Sequence, residues 1–469
     1  MELESYNNPA LQIIMDKYIT TEKYGGLKPL LEEVLRRRSF EFGFSMRRME
    51  EETKRLVENV DSIDFMTEEE IEERETTDVL ASYKGKEKRI IINPEYYNAL
   101  VNYYNKNFEP HTAKFLVGRD LFSVLTHELY HAIAYHKDAD FGVVHKDENG
   151  RITGAHMNEV LTESAATRSV RTKSEQDFEN GYMGTIGYQA TTCFTNLLAN
   201  AIGVSERELL SHGLNDRKEF DDFVLKSMQI SLSESESKEK LDELYSLTSL
   251  MGKLDDENVP VQQKEAIYTR MYMELFDLAV DHMTFDQRPL SKEVIGEKQF
   301  RTQTMANIAR SSLEYLEREN LIRPGSAPYI VDRAGINRSI ERMIVVGLRE
   351  FAVIEDIDQS KYALEELDAM VSEDMLKDKK KYELGFRKFI YDDYHQRTNW
   401  SDGVFIYMMD AFEKKMEDYE RTLPPDKLKD FKSQQTDSGD LKVQNIIVDE
   451  MKSHESTNEI KKEIDEEIR

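Results

Sequence analysis

His127, Glu128 and His131 stand in the order H-E-x-x-H within Leu125-Thr126-His127-Glu128-Leu129-Tyr130-His131. Histidines four residues apart lie one above the other on a helix, so both imidazoles can reach one metal ion. Glu128, beside the first histidine, can address a water on that metal instead of the metal itself. The chemistry this set performs is hydrolysis: zinc makes a water acidic near neutral pH, and Glu128 acts as the general base that takes its proton. Two histidines leave a catalytic zinc one protein ligand short.

These side chains need a rigid helix against a sheet. A helix is expected from about Arg119 to Tyr135, with Leu121, Leu125, Leu129, Ala132 and Ile133 as its apolar side. Upstream, Val79–Tyr83 and Arg89–Ile92 read as two strands joined by Lys84-Gly85-Lys86-Glu87. Asn93-Pro94 opens a further helix, and Thr67 precedes the acidic run Glu68–Glu70 as a helix start. Residues 26–60 read as a charged, helix-like segment, with Leu27, Leu30, Leu31, Val34 and Leu35 at helical spacing. Downstream, the turn-rich Asp147-Glu148-Asn149-Gly150 precedes a helix from about Ala155 to Val170. After residue 190 the periodicity is helical, and residues 191–210, with Leu197, Leu198, Ile202, Leu209 and Leu210, are expected to supply core.

The third ligand separates the zinc-site classes. A metzincin would carry a histidine six places past His131, where Lys137 stands, and a glycine where Ala134 stands; His136 is one residue short. A deformylase would carry an upstream cysteine, and the one cysteine here is Cys193. The stretch Met157-Asn158-Glu159-Val160-Leu161-Thr162-Glu163 instead resembles the second helix of the gluzincins, the thermolysin-like zinc peptidases, whose pattern is N-E-x-x-x-[DE]. The resemblance implies that Glu159 is the third metal ligand and that Glu163 supports a ligand histidine; His156 is a rival ligand. It implies an edge strand before the H-E-x-x-H helix that pairs with substrate backbone, either Val79–Tyr83 or Arg89–Ile92. It also implies an oxyanion donor from the helical part, for which Tyr182 and Tyr188, around the glycine-rich Gly181–Gly187, are the candidates. The match spans roughly residues 76–225 and lacks the downstream histidine motif of thermolysin itself, so the compact minigluzincins are the closer analogy.

The implied fold is α+β: a small zincin-like core of short mixed sheet, H-E-x-x-H helix and glutamate helix, with mainly α-helical flanks. The expected organisation is a helical region over 1–75, the core over 76–225, helical regions over 226–345 and 346–435, and an acidic tail over 436–469. The chain has 469 residues and a formal net charge of -28, which disfavours nucleic-acid partners. A single cysteine excludes an internal disulfide and a multi-cysteine zinc cage. The start lacks the basic-then-apolar pattern of a secretory signal, and no apolar run is long enough to span a bilayer, so a cytoplasmic protein without membrane partners is expected, with export by another route left open. The function expected is that of a zinc-dependent endopeptidase acting on a peptide or protein. The alternatives are a non-catalytic regulatory or scaffold protein with a peptidase-like core, and an effector protease that selects one protein target through its helical flanks.

Overall fold

The computed structural model describes residues 8–72, 80–135, 142–146, 152–170, 189–254, 256 and 258–355, with 421, 423, 424, 427 and 464 as isolated positions. No helix among them is long and apolar enough to cross a membrane. The chain divides into two compact units, one of residues 1–282 with 304–334, the other of residues 283–303 with 335–469. The fold is mostly helical with small sheets, a broad α+β class.

The first unit begins with α1 (Pro9–Tyr18) and a single turn, α2 (Thr21–Tyr24). The helix-like stretch expected over 26–60 is two helices, α3 (Lys28–Phe42) and α4 (Met46–Asn59). The break is at Gly43, whose φ of 61° is left-handed and whose N–H returns to the Ser39 carbonyl, a helix stop open to glycine at little cost. Ser45 then caps α4 by accepting the Arg48 N–H. β1 (Ser62–Phe65), not expected from the sequence, follows. Thr67 starts α5 (Glu68–Glu72): its hydroxyl accepts the Glu70 N–H, and the Glu70 carboxylate accepts the Thr67 N–H, a reciprocal cap.

The expected hairpin is present as β2 (Ala81–Lys84) and β3 (Arg89–Ile92). Their sheet is mixed, in the order β1-β3-β2: β3 pairs antiparallel with β2 and parallel with β1. Ile90 and Ile91 are fully buried in this central strand, each side chain contributing about 1.5–3 kcal/mol by leaving water. β2 is therefore the free edge on one side, which settles which strand of the hairpin is central and which is peripheral. The domain boundary expected at 76 does not separate packed units, because β1 supplies the sheet's third strand and α3 and α4 pack on the helices of the site.

Asn93 caps α6 (Pro94–Asn107), and α7 (Pro110–Ala134) carries the H-E-x-x-H residues. α7 begins nine residues before the expected start. After the short hairpin β4 (His145–Lys146) and β5 (Ile152–Thr153) comes α8 (Ala155–Val170), with the bounds expected of it. α7 and α8 are packed together, and α9 (Gln189–Ala201), α10 (Glu206–Gly213), α11 (Arg217–Met228) and α12 (Glu234–Met251) build outward from α8. Leu197, Leu198, Ile202, Leu209 and Leu210 are all fully buried, as their spacing predicts. α13 (Val261–Thr284), α14 (Lys292–Arg318), α15 (Ala327–Arg333) and α16 (Ile336–Glu355) follow. Ser233 caps the first turn of α12 by accepting the Glu236 N–H.

In the second unit a charged cluster is buried. Lys298 donates to the Met283 carbonyl at 2.9 Å and pairs with Glu350 at 2.6 Å, and Asp286 lies 3.5 Å from it.

Candidate metal centre

Four of the five apolar residues expected on one side of α7 are buried: Leu125, Leu129, Ala132 and Ile133. With that side fixed, His127 and His131 face α8, and Glu159 meets them there. The three candidate ligand atoms form a compact triangle. His127 Nε2 and His131 Nε2 are 2.9 Å apart, Glu159 Oε2 is 3.2 Å from His131 Nε2, and it is 3.3 Å from His127 Nε2. Tetrahedral zinc with bonds of about 2.0–2.1 Å would hold its ligand atoms about 3.3 Å apart, so the donor set fits such an ion with small adjustment. Among the described residues this trio is the one cluster of histidine, cysteine or acidic groups that could hold a metal.

Both histidines are buried, whereas the Glu159 side chain is 35% exposed, so the solvent side of the triangle is the carboxylate side. Behind the triangle, Glu163 Oε2 lies 2.8 Å from His127 Nδ1, and Thr167 donates to the other Glu163 oxygen at 3.4 Å. Glu163 thus stands where the resemblance places the supporting acid, one turn beyond Glu159. A carboxylate on Nδ1 fixes the tautomer that leaves Nε2 free for a metal. His131 has its own support, overlooked in the sequence: the Asn158 amide reaches its Nδ1 at 3.3 Å, and Asn158 Oδ1 accepts the Val143 N–H at 3.4 Å. The signal was in view, since Asn158 is the asparagine of the N-E pair. Gly142 makes room for this amide; with φ of 56°, a Cβ there would stand 2.0 Å from Asn158 Oδ1.

The carboxylates and imidazoles of the triangle shift one another's protonation. Burial disfavours the charged form of Glu159, yet the two imidazoles outweigh it and hold the carboxyl well below the usual range. Burial likewise opposes protonation of His127, and hydrogen bonds from its ring to Glu159 and Glu163 overcome it, raising its pKa well above the ordinary histidine value. A proton on His127 thus offsets part of the negative charge of the two carboxylates.

Glu128 is buried on the same turn and does not join the triangle. Its Oε2 accepts the main-chain N–H of Tyr83 on β2 at 2.7 Å. His156 is exposed and turned toward Gly252, where an added Cβ would lie 2.1 Å from its ring; the structure does not bring this rival ligand to the site. Tyr182 and Tyr188 lie outside the described residues. The end of α7 is clamped by Asn59, whose amide donates to the Ala132 and Tyr135 carbonyls at 2.9 and 3.0 Å, satisfying acceptors that a helix terminus leaves open.

No family model, no curated protein and no solved structure matches this chain.

Proposed function

We propose that the protein is a zinc-dependent peptidase with a gluzincin-like core, in which His127, His131 and Glu159 hold the metal and Glu128 is the general base. The observation that carries the reading is the triangle of ligand atoms with Glu163 behind His127, because a supporting acid on the far ring nitrogen is what a ligand histidine requires and a surface histidine does not. When bound, the zinc would supply Lewis-acid polarisation of a carbonyl and a water acidic at neutral pH. Glu128 accepts the proton of the attacking water and returns it to the leaving amine. Glu163 and Asn158 keep the two imidazoles in place. A peptide or protein is the substrate, and the cytoplasm the expected location.

Glu128→Gln tests this. The amide is nearly isosteric and cannot take the proton, so the variant should bind zinc as the wild type does and lose hydrolysis by about a hundred- to ten-thousand-fold. Wild-type turnover in a zinc-replete Glu128→Gln sample would rule the mechanism out. Peptide binding by the wild type without hydrolysis would place the protein among non-catalytic binders instead.

A further inference from the structure

The hydrogen bond between Glu128 and Tyr83 joins the base to the sheet through the main chain. The pairing of β2 with β3 shows why that donor is available. Asn93 N–H donates to the Leu80 carbonyl, so the main chain at Leu80 faces β3. Strand residues alternate, so Ser82 and Lys84 face β3 as well, while Ala81 and Tyr83 direct their N–H and C=O groups to the free edge. Tyr83 N–H is therefore not used by the ladder, and α7 packs across this edge with Glu128 opposite it. The side chain of Tyr83 is held separately. Its hydroxyl donates to the Asn59 carbonyl at 3.0 Å, and its ring meets Tyr135 edge-on. The clamp of Asn59 on the end of α7 thus also fixes the strand that carries the donor.

We propose that the Tyr83 main-chain amide is a positioning group for Glu128, tethering one carboxylate oxygen to the edge of β2 so that the other is left to work on water. The role in hydrolysis rests on the peptidase reading; the tether itself does not. A carboxylate on a glutamate side chain has several rotatable bonds, and a charge-assisted bond to a fixed amide removes most of that freedom. The donor is a main-chain group, so its removal calls for proline. Proline at Tyr83 costs no ladder bond, because the lost N–H points away from β3.

The experiment is amide hydrogen exchange on the full-length protein, resolved at Tyr83, with Ser82 as the internal reference because its N–H lies in the ladder. Glu128→Ala removes the acceptor, and Glu128→Gln keeps one. Tyr83 exchange should quicken by about tenfold or more in Glu128→Ala, the loss expected for one hydrogen bond to a charged group, and should stay slow in Glu128→Gln, with Ser82 unchanged in both. Equal exchange at Tyr83 in the wild type and Glu128→Ala would overturn the tether. In the peptidase assay, Tyr83→Pro should fall below Tyr83→Ala in kcat at similar KM, since both lose the ring and only proline loses the N–H; equal kcat values would overturn the positioning role. A wild type that shows the exchange contrast and no hydrolysis would remove the peptidase reading while the tether stands.

Discussion

Two buried charged clusters flank the H-E-x-x-H helix, and they solve the same problem in opposite ways. Beside Tyr130, Arg38 of α3 and Glu52 of α4 form a fully buried bidentate pair, at 2.7 and 3.1 Å, and Arg48 adds a third bond to Glu52 at 3.0 Å. The Arg38 guanidinium lies 4.4 Å from the centre of the Tyr130 ring, whose hydroxyl bonds Ser169 of α8 at 2.6 Å. Burial penalises the Glu52 charge, and Arg38 outweighs that penalty, so the carboxyl stays below its ordinary value. This cluster carries its own counter-ions. At the triangle, one residue along the helix, Glu159 and Glu163 instead meet the imidazoles of His127 and His131. The joint thus pairs its carboxylate with guanidinium groups, whereas the triangle pairs its carboxylates with imidazoles, whose charge depends on a proton.

The comparison can be broken most severely at the triangle. His131→Ala should abolish retention of zinc, which elemental analysis of chelator-free wild-type protein should find at close to one equivalent per chain; full retention in the variant would mean the ion is held elsewhere. At the joint, Arg38→Ala should cost about 3–5 kcal/mol in denaturant unfolding by leaving Glu52 buried with only Arg48, while metal binding at the refolded site persists. Replacing Arg38 and Glu52 together with apolar residues should recover most of that loss, an outcome that no substitution of the triangle can mimic.

Smaller effects grade the ligands. Glu159→Ala should weaken zinc affinity more than Glu163→Ala, whose loss should be about ten- to a hundred-fold, because a direct ligand neutralises the ion and a supporting acid only orients His127. Chelator competition on both variants measures this, and the reverse order would move the ligand to Glu163.

The smallest effect is in pH. His127 has a raised pKa in the metal-free chain, with Glu159, Glu163 and Glu128 as its acidic neighbours, so its proton must leave when metal enters. Zinc affinity should therefore rise with pH by up to about tenfold per unit while His127 remains protonated in the free site. Metal-free stability runs the other way for this group: the raised pKa favours folding below the unfolded histidine value near 6.5 and is lost as pH climbs through the folded value. The lowered pKa of Glu159 favours folding above the ordinary glutamate value and is lost only in strong acid. A metal affinity independent of pH would show that His127 enters the site already neutral.

How much of this could be read in the residues depends on whether the signal was local. The hairpin, α8 and the cap at Thr67 are set by residues within a few positions of one another, and the sequence predicts all three. The first half of α7 carries a shorter apolar stripe, Ala113, Leu116 and Val117, which packs on Leu100 and Tyr104 of α6 and extends the helix beyond its expected start. Glu159 and Glu163 were legible through the resemblance to the N-E-x-x-x-[DE] pattern, with which the helical spacing of residues four apart agrees. Glu128's partner was not, since a main-chain N–H on a distant strand leaves no mark in residue type. The Arg38–Glu52 pair was hidden for another reason: in a chain with 33% charged residues, a buried ion pair looks like any of the solvated ones.

The parallel pairing of β1 with β3 has a bearing on how the protein could be cut. β1 precedes the hairpin in sequence but occupies the edge opposite β2, and its register runs from Ser62 against Arg89 to Phe65 against Ile92. A fragment begun at residue 76 would keep β2, β3 and every proposed ligand, yet it would leave the β3 main chain bare at Ile90 and Ile92. A bare apolar edge recruits other strands, so such a fragment should self-associate by edge-to-edge pairing. The short strand Ser62–Phe65 thus covers the edge of β3 that β2 leaves open.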